Sequence, residues 1–130
     1  MNRPVNCIML IDDNKIDNFF HERVIRKCDA ATHIIPKGSA IEALAHCQNG
    51  EMLPDIIFLD VNMPGMNGWE FIAEFSKLPL HQKCLIVVMT NDYDEPEDEA
   101  LEAVQGIFHD FRPKPVTQEM LEEVIAKYYS

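Results

Sequence analysis

The chain has 130 residues, 47% of them hydrophobic and 25% charged, with a formal net charge of -11 at pH 7. That length suits one globular domain, and that composition is enough to bury a core. So large an excess of negative charge excludes the nucleic-acid backbone and anionic membrane surfaces as direct partners.

Strand-like and helix-like segments alternate along the chain. The first strand is expected at about Asn6 to Ile11, ending in Asp12-Asp13. A helix follows, with Phe19, Phe20, Val24 and Ile25 at helical spacing. The short run Thr32-His33-Ile34-Ile35 ends at Pro36, and a proline there suits an edge strand. Ser39 and Glu42 form a capping box for the next helix, whose apolar positions are Ile41, Leu44 and Ala45, with Gly50 as its stop. A third strand runs from Asp55 to Asp60, and its near-continuous apolarity implies burial on both faces.

Val61 to Gly68 reads as a loop. Asn67 caps the helix after it, with Glu70 at the third position and Trp69, Phe71, Ile72 and Phe75 as its apolar surface. The fourth strand is Cys84 to Met89, ending in Thr90. The acidic run from Asp92 to Glu99 reads as a solvated loop entering a fourth helix, which carries Leu101 and Val104 and stops at Gly106. A less apolar fifth strand, about Ile107 to Phe111, suits the opposite edge. The last helix begins near Thr117 and presents Met120, Leu121, Val124, Ile125 and Tyr128.

Five βα units with right-handed crossovers predict helices on both faces of a parallel sheet. The expected fold is a flavodoxin-like (βα)5 doubly wound sheet with strand order 2-1-3-4-5, which puts the two edge-like strands at the edges. Residues 1–130 read as one domain with no output domain in the chain. Cys7, Cys28, Cys47 and Cys84 form no zinc spacing, and buried thiols in a reducing cytoplasm are expected. No segment reaches transmembrane length, and the N-terminus carries no cleavage signal. The five histidines are scattered, and surface or edge roles are expected for them.

Four of the five strands deliver a polar or charged residue at or just after the C-terminal end: Asp12 and Asp13, Asp60, Thr90, and, after the fifth, Lys114. In an open parallel sheet those ends converge on one edge, where ligands bind. One such aspartate is usually a helix cap. Three beside a lysine would repel one another unless a cation is shared or one is protonated. Oxygen ligands alone favour Mg²⁺, with Mn²⁺ as a substitute. An aspartate next to a hard cation and an ammonium suits nucleophilic attack in phosphoryl transfer.

These residues resemble the response-regulator receiver domain of two-component signalling, over essentially the whole chain. Asp12-Asp13 resembles its acidic pair. Asp60, followed by Asn62, Met63, Pro64, Gly65 and Gly68, resembles the phosphoacceptor loop D-x-x-M-P-x-x-x-G. Thr90 matches the switch hydroxyl, Phe111 the switch aromatic, and Lys114-Pro115 the lysine with its following proline, usually joined by a cis bond. The resemblance implies that Asp60 accepts a phosphoryl group from a histidine kinase or histidine phosphotransfer protein. It implies Mg²⁺ bound by Asp13, Asp60 and the Asn62 backbone carbonyl, with Asp12 acting mostly through water. Thr90 and Lys114 would be drawn to the phosphoryl group and Phe111 would turn inward. The surface around the fourth helix, fifth strand and fifth helix would then change shape for a downstream protein target.

Two features depart from that pattern: Asn91 in place of a small residue, and Arg112-Pro113 ahead of Lys114. Bulk at Asn91 and Asp92 predicts slow self-dephosphorylation. The chain is expected to be no enzyme beyond this chemistry. The enzyme alternative is a small Mg²⁺-dependent phosphatase with Asp60 as nucleophile. Asn62 argues against the haloacid-dehalogenase type, which needs a second aspartate at that position. A flavin or nucleotide module is disfavoured by Asp-Asp-Asn-Lys after the first strand, where a phosphate loop would stand.

Overall fold

The computed structural model describes residues 5–49, 52–61, 63, 65–78, 84–90 and 110–128, and the side chains of all of these except Thr90 and Tyr128. Gly50, Asn62, Asn91, Asp92, the acidic run, the expected fourth helix and its Gly106 stop, His81 and His109 lie outside them.

The strands are β1 (Val5–Ile11), β2 (Ala31–Lys37), β3 (Ile56–Asp60), β4 (Leu85–Thr90) and β5 (Asp110–Pro113). The described helices are α1 (Lys15–Lys27), α2 (Ala40–Gln48), α3 (Gly68–Phe75) and α4 (Gln118–Tyr128). All strand pairs are parallel, in the order β2-β1-β3-β4-β5. The expected topology is therefore the observed one. β2 runs on through Pro36 to Lys37, because an edge strand tolerates a missing N–H. β5 is described only from Asp110 and extends to Pro113, two residues past the expected end.

Alternation along each central strand divides the core. Met9, Ile11, Ile57, Leu59, Ile86 and Val88 face α2 and α3. Ile8, Leu10, Ile56, Phe58, Val87 and Met89 face the other way, against Ile25 of α1 and Met120, Leu121 and Val124 of α4. Burying side chains of this size stabilises the fold by about 1.5–3 kcal/mol each before chain entropy is counted.

Two helix faces differ from expectation. On α1 the buried residues are Asn18, His21 and Ile25, while Phe19 and Phe20 are exposed. Asn18 is drawn inward because its Nδ2 donates to the carbonyls of Asp12 and Lys37, both at 3.0 Å. On α2 the buried face is Ala40, Ala43, His46 and Cys47, and Ile41 is exposed. Ala40, Ala43 and Cys47 on that face pack in the same core cluster as Met9, Ile11 and Ile57. His21 and His46 are thus buried, against the expected surface roles.

Candidate functional site

Asp12 follows β1, Asp60 ends β3, Thr90 ends β4 and Lys114 follows β5. Ile11 pairs with both Lys37 and Leu59, Asp60 pairs with Met89, and Thr90 pairs with Pro113. The strand ends therefore lie level, and the sheet brings Asp12, Asp13, Asp60 and Lys114 to one edge. The carboxylates of Asp12, Asp13 and Asp60 each offer an oxygen within 4.8 Å of the others. Asp12 and Asp60 are buried and Asp13 is exposed.

Lys114 is the cation among them. Its Nζ donates to Asp12 Oδ2 at 2.6 Å and to Asp17 Oδ2 at 3.0 Å, and lies 3.5 Å from Asp60 Oδ2. Burial alone would lower its pKa, but the hydrogen bonds to Asp12 and Asp17 and the nearby Asp60 outweigh this and raise it. Its charge therefore contributes stability below its ordinary pKa, and that contribution is lost only as pH rises through the higher folded value. The Lys114–Pro115 peptide is cis, as the resemblance implies.

Asp12 uses both oxygens, since Oδ1 accepts from the Asn14 N–H at 2.9 Å. Asn14 in turn caps α1, its side chain accepting from the N–H groups of Ile16 and Asp17. The segment after β3 is held from its far end. Asn67 and Glu70 form a complete capping box for α3, and the Gly68 N–H donates to the Val61 carbonyl at 3.1 Å. Gly65 has φ of 74°, a conformation that glycine adopts freely. Asn62 lies outside the described residues, as does the Thr90 side chain.

Phe111 is half-buried and stacks on Trp69, with ring centroids 6.3 Å apart and planes 19° from parallel. The unusual Arg112 has a structural task. Its guanidinium bridges Asp110 at 2.9 Å and Glu123 of α4 at 3.0 Å, tying β5 to the last helix.

Asp17 and His21 are the site residues that sequence reasoning missed. Asp17 stands on the first turn of α1, where an acidic residue is ordinary, and its partner is 97 residues away. His21, one turn on, is 2% exposed, and its Nδ1 has no hydrogen-bond partner among the described residues. Burial, then the Lys114 charge, hold its pKa below the ordinary value. A depressed His contributes stability that is complete above its unfolded pKa, about 6.5. That stability is lost as pH falls from there through the lower folded value. Urea unfolding at several pH values is expected to show wild type losing stability below about pH 6.5, with a shallower loss in His21→Gln. Identical pH profiles would contradict this.

A doubly wound parallel sheet with clustered carboxylates and a lysine at its carboxyl edge defines the flavodoxin-like class of α/β proteins with an acidic pocket. Within it, residues 8–126 match the response regulator receiver domain model, so the chain belongs to that family. Members of the family are signalling phosphoacceptors of two-component systems, which take a phosphoryl group on an aspartate and work with histidine kinases and phosphotransfer proteins.

The chain is 34% identical over 110 residues to the cyclic di-GMP phosphodiesterase response regulator RpfG of Xanthomonas campestris pv. campestris, covering 84% of this chain and 28% of that protein. It is 26% identical over 129 residues to the sensor histidine kinase CheAY of Helicobacter pylori, covering 97% of this chain and 15% of that one. It thus spans less than a third of either relative. The crystal structure of a two-component response regulator from Cytophaga hutchinsonii superposes with a TM-score of 0.84 at 30% identity, covering 96% of this chain and 97% of that one. Among the described residues, no helix is long and apolar enough to cross a membrane.

Proposed function

We propose that Asp60 is the aspartate that receives the phosphoryl group, and that Lys114 and Thr90 serve the transfer. One observation carries this: Asp60 is 5% exposed at the carboxyl end of β3, shares the acidic cluster with Asp12 and Asp13, and has the Lys114 ammonium 3.5 Å away. A carboxylate oxygen of Asp60 forms a bond to phosphorus as the donor's bond to phosphorus breaks. The electron pair leaves with the donor group, and no proton need leave Asp60. Lys114 neutralises charge on the oxygens that approach it.

The donor set fits a hard divalent cation. Its oxygens are clustered, with the exposed Asp13 beside the buried Asp12 and Asp60, and an all-carboxylate set of this kind suits a hard cation. We assign Mg²⁺, or Mn²⁺ in its place, to Asp13, Asp60 and the Asn62 backbone carbonyl, with Asp12 acting through water. Bound there, the cation would neutralise phosphoryl oxygen charge. The donor is a histidine kinase or histidine phosphotransfer protein, acting in the cytoplasm. The output is a change in binding to a downstream protein, or relay of the phosphoryl group, with Thr90 and Phe111 as the switch.

Incubation with acetyl phosphate and Mg²⁺ is expected to add one phosphoryl group by intact-mass spectrometry. Asp60→Asn should gain none, because an amide is a poor nucleophile. An equal gain in that variant would sink the assignment.

A further inference from the structure

If Asp60 is the acceptor, Lys114 must meet the phosphoryl oxygens on it. Before transfer the ammonium is shared among three carboxylates, with its hydrogen bonds going to the two other than Asp60. It donates to Asp12 at 2.6 Å and to Asp17 at 3.0 Å, while Asp60 stands at 3.5 Å. Asp17 differs from the other two in its surroundings. Its side chain is 36% exposed, against 1% for Asp12 and 6% for Asp60. It also has no part as the helix cap, because Asn14 performs that task with its own side-chain oxygen.

An ammonium has three N–H donors in all. A phosphoryl group brings about -1.5 to -2 charges and three strong acceptor oxygens. Asp12 and Asp17 hold two of the three donors, so a phosphoryl group on Asp60 finds one left and competes for the other two. Asp12 is 1% exposed, so losing its ammonium costs more there than at the rim, where bulk water is at hand. Asp17 lies at the rim, where water replaces the lost partner at small cost. The exchangeable partner is therefore Asp17.

We propose that Asp17 is a positioning residue that draws Lys114 away from the acceptor before transfer and releases it to the phosphoryl group afterwards. This rests on the assignment of Asp60. Asp17 thereby restrains phosphorylation by small anionic donors, since part of the cation's pull is spent on a carboxylate that takes no part in bond making.

The test is the rate of phosphorylation by acetyl phosphate with Mg²⁺, followed by intact mass. Asp17→Asn is expected to be about three- to fivefold faster than wild type, the range that a rim ion pair carries. Asp17→Glu should return the rate close to wild type. In a Lys114→Met background, Asp17→Asn should change nothing, because the competition has lost its object. A gain of equal size in that background would mean simple relief of charge repulsion, and would overturn the proposal. So would an unchanged or slower Asp17→Asn, or a rate that merely follows a fall in melting temperature. Asp60→Asn, run alongside, separates the failures. Labelling that survives it removes the acceptor assignment itself. Labelling that needs Asp60 yet ignores Asp17 removes only the role of Asp17.

Discussion

Gly68→Ala is expected to cost about 2 kcal/mol of stability, in the range for overpacking a filled site, and Gly68→Val more. A Cβ at position 68 would lie 2.7 Å from Val61 Cα and 2.9 Å from the Asp60 carbonyl oxygen. Both are backbone atoms, so no side-chain rotation relieves the contact. Alanine in a helix usually gains about 1 kcal/mol over glycine, and the clash must exceed that gain. The backbone that has to yield is the end of β3 itself. A displacement on the order of 1 Å there should slow phosphorylation about a hundredfold. Urea denaturation and the acetyl phosphate rate measure the two effects. Wild-type values of both in Gly68→Ala would contradict the close approach.

Lys114→Met should produce the second large effect. Methionine approximates the length of lysine without its charge. The substitution leaves Asp12, 1% exposed, beside Asp60 with no ammonium between them. Removing one partner of a buried pair costs roughly 3 kcal/mol. Phosphorylation should slow at least about tenfold, because the developing charge loses its nearest fixed cation. Unfolding midpoints and intact-mass rates check both parts. A variant as stable as wild type would mean that the buried carboxylates are satisfied without Lys114.

These residues show how far sequence carries. Strand order and the convergence of Asp12, Asp13, Asp60 and Lys114 follow from apolar runs that each end in a polar residue, because parallel strands align their carboxyl ends. The capping box at Asn67 and Glu70 is local and equally legible. Helix facing was less so. On α1 the two phenylalanines suggested an inward face, but hydrogen bonds from Asn18 to two strand-end carbonyls turn it elsewhere. On α2 Ala40, Ala43 and Cys47 join the core cluster while the larger Ile41 is exposed. Asp17 was hidden because its meaning lies in a contact across 97 positions, and its local setting already explains an acidic residue. The loop pattern marks a glycine at position 68, but the physical reason for it is visible only when the Val61 backbone is seen against it.

The Trp69–Phe111 stack has a practical consequence. Trp69 is the only tryptophan in the chain and is 3% exposed, so its emission comes from one shielded environment. Its flat neighbour is the very ring assigned to the switch. If Phe111 turns as proposed, the indole's immediate surroundings would change, and the intrinsic emission of unlabelled protein would report the switch in real time. Phe111→Leu supplies the calibration by removing the ring from view.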